Sequence, residues 1–200
     1  DWSRAGRATQ SHSTLGIDGV SSSRFGSGAS EVLEDRASVL TLRQQSSDAG
    51  CAVHAAHDGW ASTHGLTHAR DLALSADGRH LSGIDTLIAL NPKGRARFER
   101  VLTATGLEGV PFTIRFHLHP DTDSTLDMGG NAVSVALKSG EIWVFRHDSP
   151  AKLALEPSVY LEKGRLKPRA TKQIVLSGFA AEIETRIGWT LAKAQDTPLA

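Results

Sequence analysis

The run Pro111-Phe112-Thr113-Ile114-Arg115-Phe116-His117-Leu118-His119-Pro120 alternates without a break. Phe112, Ile114, Phe116 and Leu118 fall on one side of an extended chain, and Thr113, Arg115, His117 and His119 on the other. A period of two predicts a strand with one buried face. The second face lines up an arginine and two histidines. It is either a solvated sheet face or a surface that meets an anionic ligand.

Shorter alternating runs occupy much of the rest. They predict strands at residues 13–17, 38–42, 51–57, 68–75, 83–90, 132–137, 142–146, 158–161, 172–176 and 182–191. Asp18-Gly19, Asp58-Gly59, Ala76-Asp77-Gly78, Gly129-Gly130-Asn131 and Ser139-Gly140 read as turns between them. Residues 132–146 look like a hairpin closed at Ser139-Gly140, which the strand ending at Pro120 extends to a meander. No window carries a capped helical pattern of apolar residues. Residues 91–109, with Lys93, Arg95, Arg97 and Arg100, read as a loop insertion at the edge of a sheet. Many short strands with Gly and Asp turns indicate an all-β fold, a large antiparallel β-sandwich of layered sheets. With no internal repeat, residues 1–200 read as a single domain. Its Ser- and Gly-rich leading segment is 1–30, and its frayed tail is 195–200.

Composition excludes several classes. Hydrophobic residues make up 40% and charged residues 22%, the balance of a folded globular chain. The 22 basic residues match 22 acidic ones and are scattered, so no basic stripe suggests nucleic acid. No apolar run reaches the roughly 18 residues of a membrane span. The lone cysteine, Cys51, is flanked by small apolar residues and reads as buried packing rather than a nucleophile. The chain opens on Asp1 and its single methionine is Met128, so we expect residue 1 not to be the translation start. An export signal would lie upstream of it.

Nine histidines supply most of the candidate chemistry. His117 and His119 share a face about 7 Å apart. That pair suits a solvated sheet face, an anion or polysaccharide contact, or two metal ligands. No HExxH and no Cys/His cluster supports the metal. His12, in Ser11-His12-Ser13-Thr14, stands before the first strand with Arg4 and Arg7 upstream and Arg24 downstream. Trp60 either plugs the end of the sandwich, the preferred reading, or stacks on a sugar ring. Trp143 and Trp189 fall inside strands and read as core. Tyr160 reads as half-buried packing. Asp71, Asp77 and Asp85 are too dispersed to argue a carboxylate pair.

Several segments, in order, resemble the C-terminal β domain of bacterial heparinase II/III-family proteins, which are polysaccharide lyases. They are Arg7-Ala8-Thr9-Gln10-Ser11-His12-Ser13-Thr14-Leu15, His57-Asp58-Gly59-Trp60, Gly65-Leu66-Thr67-His68-Ala69-Arg70, Leu74-Ser75-Ala76-Asp77-Gly78, Leu81-Ser82-Gly83-Ile84-Asp85, the 111–120 run, and Gln173-Ile174-Val175-Leu176. The resemblance implies a β-sandwich that forms a cleft with an upstream α/α-toroid. It implies β-elimination on a uronate-containing acidic polysaccharide, and a periplasmic or extracellular setting. It maps an active-site histidine onto His12, as carboxylate neutraliser or proton acceptor. Arg7, Arg24 and Arg70 are then candidates for the anionic sugar. Some family members hold zinc through histidines and an aspartate near this segment. Residues 13–50 contain no histidine, so we expect no cofactor, with a metal left open. The toroid and its catalytic tyrosine are not in these 200 residues, and the isolated piece is expected to turn over little or no substrate. The alternative is a non-catalytic carbohydrate-binding or structural β module.

Overall fold

The computed structural model describes residues 2–17, 19–28, 31–164 and 167–194; the tail at 195–200 and Asp18 of the first turn lie outside the described residues. A short helix, α1 (Trp2–Ala5), leads into the strands. These are β1 (Leu15–Ile17), β2 (Arg24–Phe25), β3 (Leu33–Asp35), β4 (Val39–Ser47), β5 (Gly50–Trp60), β6 (Leu66–Ser75) and β7 (His80–Ile88). After the helix α2 (Pro92–Ala104) come β8 (Val110–His117), β9 (Asp123–Asp127), β10 (Ala132–Ala136), β11 (Ile142–His147), β12 (Lys152–Tyr160), β13 (Arg169–Ala180) and β14 (Glu184–Lys193).

The strands form two stacked antiparallel sheets and a small ribbon. A four-stranded sheet runs β1-β8-β13-β12, an eight-stranded sheet runs β4-β5-β6-β7-β14-β11-β10-β9, and β2 pairs with β3. Alternation builds the core between the sheets. In the small sheet, register puts Leu15, Ile114, Leu176 and Leu153 in one buried row. Val133, Val135, Phe145, Ile187 and Trp189 face it from the large sheet. Each such side chain, fully buried, contributes about 1.5–3 kcal/mol. Trp60 is fully buried and its Nε1–H donates to the Val20 carbonyl at 3.0 Å, so it plugs the sandwich.

Three local expectations are corrected. Residues 92–104 are helix, not loop. Asn91 caps it, its side chain accepting from Gly94 N–H at 2.9 Å, and Pro92 opens the first turn. Phe98, Val101 and Leu102 meet the core at helical spacing while the basic residues face outward. Secondly, the hairpin β10–β11 forms, but β8 does not extend it. β8 belongs to the small sheet, and β9 takes the place beside β10. Thirdly, Cys51 is exposed. Four strands cannot cover eight, and the β4 margin of the large sheet stays open. Val39, Leu40 and Leu42 there are 71%, 50% and 69% exposed.

Candidate active site

The leading segment lies along the edge of the small sheet. Thr9–Ser11 form a 3-10 turn that ends on His12, and Thr9 fills the space over Gly16. Several bonds tie the segment to β8. Arg115 N–H donates to the Thr14 carbonyl at 3.0 Å, and His117 N–H donates to Ser13 Oγ at 3.0 Å. The His117 ring closes the contact, with Nε2 donating to the Gln10 carbonyl at 3.0 Å. Its Nδ1 then accepts from Ser158 Oγ at 3.0 Å. Burial lowers the His117 pKa. The bond to Gln10 opposes that shift, and the neighbouring Arg115 and His12 add to it.

These ties leave His12 at the surface. Its ring has no hydrogen-bond partner among the described residues, and it lines a cavity of about 250 Å³ with Arg7, Thr9, Ser22, Ser23 and His57. Arg7 is held there by stacking over the Phe25 ring, 4.5 Å from its centroid, and by a 2.9 Å bond to the Glu31 carbonyl. The fold therefore brings His12 and Arg7 together. Arg24 is engaged by Asp35 across the β2–β3 ribbon, one residue beyond the cavity wall. Arg70 lies outside that lining, between the two sheets.

Behind the cavity lies a buried polar chain. Register sets His57 opposite His68, and Arg70 opposite Asp85. Gly59 N–H donates to His57 Nδ1 at 3.2 Å. A backbone N–H has only a proton to give, so the neutral His57 ring carries its hydrogen on Nε2. That hydrogen is donated to His68 Nδ1 at 3.2 Å, and His68 Nε2 in turn donates to Asp85 Oδ1 at 2.7 Å. Trp189 Nε1 donates to Asp85 Oδ2 at 2.9 Å. Arg70 adds Nε to Oδ1 at 2.8 Å and Nη2 to Oδ2 at 3.0 Å. The fully buried Asp85 side chain thus accepts four hydrogen bonds. Burial alone would raise its pKa, but the bond from His68 and the charge of Arg70 outweigh it and hold the carboxyl below its ordinary range. Burial, reinforced by His68, lowers the His57 pKa to about 4 against the pull of Asp58.

The His57–His68–Asp85 chain was not singled out from the sequence. A signal was present: an aspartate flanked by Ile84 and Leu87 inside a strand must be paired if buried. Of the histidines on the 111–120 run, His117 is committed to Gln10 and Ser158. His119 lies beyond β8, edge-on to the Tyr160 ring at 4.9 Å. Tyr160 is half-buried and does not line the His12 cavity. Among the described residues no three His, Cys, Asp or Glu side chains gather as a metal site. His12 and His57 share a wall, but without a third donor they do not fit a zinc ion.

Leading segment and layered antiparallel sheets describe a β-sandwich domain with a small basic cavity at its surface. The family model described as Heparinase II/III-like, C-terminal matches residues 1–190, and the chain belongs to that family. It is 33% identical over 165 residues to FtsZ-localized protein C of Caulobacter vibrioides, covering 82% of this chain and 27% of that protein. Among solved structures it resembles a mutant of the heparan sulfate lyase HepC from Pedobacter heparinus. The TM-score is 0.67 at 13% identity, covering 98% of this chain and 26% of that one. It also resembles a structure titled Heparinase III, with TM-score 0.61 at 15% identity, covering 96% of this chain and 25% of that one. At these identities the structures establish the fold. The chain spans about a quarter of the length of these relatives.

Proposed function

We propose that the chain is the β part of a lyase that cleaves uronate-containing acidic polysaccharide by β-elimination. One observation carries this reading: the imidazole of His12, without a hydrogen-bond partner among the described residues, shares a cavity with the guanidinium of Arg7. β-Elimination needs the uronate carboxylate neutralised, so that the C5 proton becomes acidic, and a base to take that proton. An acid must then protonate the departing glycosidic oxygen as the C4–O bond breaks and the C4–C5 double bond forms. Arg7 suits the carboxylate through its charge and its Nη2 donors, Nε and Nη1 already donating to the Ser3 and Glu31 carbonyls. His12 suits the proton at C5, or shares the carboxylate with Arg7. The acid is assigned to another part of the protein, because the single tyrosine, Tyr160, lies outside the cavity. A complete ligand pocket holds about 300–1,000 Å³. The smaller volume here suits one wall of a cleft completed by an upstream helical domain. On this reading the isolated 200-residue piece is inactive, and the whole protein works outside the cytoplasmic membrane, where such polymers lie.

The test incubates the full-length protein with heparan sulfate, alginate and other uronate polymers. Ultraviolet absorbance of the conjugated double bond is the readout. His12→Ala is expected to lower turnover at least about 100-fold, the share of a general base. Activity that survives His12→Ala unchanged removes the assignment.

The name of the Caulobacter relative refers to localization with FtsZ and states no lyase activity. A second reading is a non-catalytic carbohydrate-binding or structural β module. Saturable binding of a uronate polymer with no new absorbance, in the full-length protein, would select it.

A further inference from the structure

We propose that Arg70, held by Asp85, is a positioning residue that fixes the His12 segment, rather than a contact for the sugar. The inference rests on the reading of His12 as a site residue. Its evidence is the geometry of one guanidinium. Nε and Nη2 are spent on the buried Asp85 carboxylate, and Nη1 donates to the carbonyl of Ser13, the residue after His12, at 2.7 Å. The side chain is 17% exposed and lies over the edge-on pair of Phe116 and Trp189 rings, 6.0 and 5.9 Å from their centroids. Three of its five N–H donors, including the Nε–Nη2 fork, are spent inside the fold.

The arrangement transmits rigidity from the core to the surface. Asp85 belongs to the large sheet and Ser13 to the segment along the small one. Arg70 bridges them with a planar fork that cannot swing without losing a bidentate pair. His117 grips the same segment from the other side through the Gln10 carbonyl and Ser13 Oγ. His12 stands between these two grips with a ring bonded to nothing among the described residues. Its backbone is fixed while its imidazole stays available, as a catalytic group requires.

The test uses the full-length protein and the variant Arg70→Lys, which keeps the charge and loses the fork. Amide hydrogen exchange is read at Arg115 and His117, whose N–H groups bond to the segment. Leu118, whose N–H bonds to the Lys172 carbonyl, is the internal control. The expected result is exchange at least tenfold faster at Arg115 and His117 with Leu118 within twofold of wild type. In the lyase assay kcat falls at least tenfold while KM stays within threefold. Asp85→Asn, which keeps the side-chain shape, is the second variant and is expected to act in the same direction. Unchanged exchange at Arg115 and His117, or equal acceleration at Leu118, overturns the proposal, as does a rise in KM alone. If local exchange quickens but the wild-type protein shows no turnover on any polymer, the segment is positioned as proposed and the lyase reading falls separately.

Discussion

Acid should weaken this fold through His57. Its half-buried ring packs against Trp60 and His68, with Asp58 beside it, and burial lowers its pKa from 6.5 to about 4. The folded state therefore takes up the proton less readily than the unfolded chain. Above pH 6.5 neither state holds it, and the contribution to stability is complete. It is lost as pH falls from 6.5 to about 4, and none remains below. The drop corresponds to roughly 3 kcal/mol at about 1.36 kcal/mol per pH unit. Solvent reaches part of the ring and reduces the expectation to about 2 kcal/mol. The structural cause is specific. A proton on His57 Nδ1 would point at the Gly59 N–H, one donor against another. The assay is guanidinium denaturation followed by tryptophan fluorescence between pH 4 and 8, for wild type and His57→Phe. Carboxylates titrate in both proteins, so the difference between them isolates His57. The wild-type advantage should shrink by about 2 kcal/mol between pH 7 and 4. A difference that stays constant or grows with acid would refute the reasoning.

Other positions give sharper local tests. Gly65 has φ +75°, and a Cβ there would stand 2.2 Å from the Gly94 carbonyl and 2.9 Å from Phe98 N. Gly65→Ala should therefore cost about 3 kcal/mol or more in thermal denaturation, and a loss under about 1 kcal/mol would mean α2 does not seat there. Trp189→Phe keeps an aromatic ring in place but loses the indole N–H, one donor to the buried Asp85 carboxylate. It should cost about 2 kcal/mol, with the near-ultraviolet dichroism of the remaining tryptophans preserved. Cys51, exposed at the open margin of the large sheet, should be alkylated in the native protein at the rate of a free thiol; protection until unfolding would contradict its placement.

The sandwich was legible because period-two alternation survives wherever a strand has one dry face. Phe112 and Ile114 are 4% and 0% exposed, as the 111–120 run requires. α2 was misread because only Phe98, Val101 and Leu102 mark its apolar side, while four basic residues make the same stretch resemble a loop. β9 carries Asp123 and Asp127 at its ends and pairs with a single neighbour, β10, so its pattern is weak. Cys51 was misplaced for a different reason. Local composition reports what a residue tolerates, whereas its exposure depends on how far the opposing sheet reaches. At the site, His12 and Arg7 stand close in sequence and were legible together. The relay behind them joins β5, β6, β7 and β14, and only register brings those strands side by side.

Histidine content says little about chemistry until each ring's partners are counted. His54 bonds Asp71 at 2.7 Å on the other face of the large sheet, and His147 bonds Ser149 at 3.2 Å. His117 and His68 spend both nitrogens inside the fold. Within the cavity the choice lies between His12 and His57. The single proton of Gly59 N–H settles the direction of every bond from His57 to Asp85, and His57 is left with no lone pair for a substrate. On the proposed reading, a base acting in this cavity at neutral pH is then His12. Glutamine separates the two roles. At position 57 its amide can accept from Gly59 and donate to His68, so His57→Gln should lower the proposed turnover by no more than about tenfold. His12→Gln removes the base and should lower it at least about 100-fold. The opposite order, measured by ultraviolet absorbance on the same polymer, would move the proton transfer to His57 and require the relay to run in reverse.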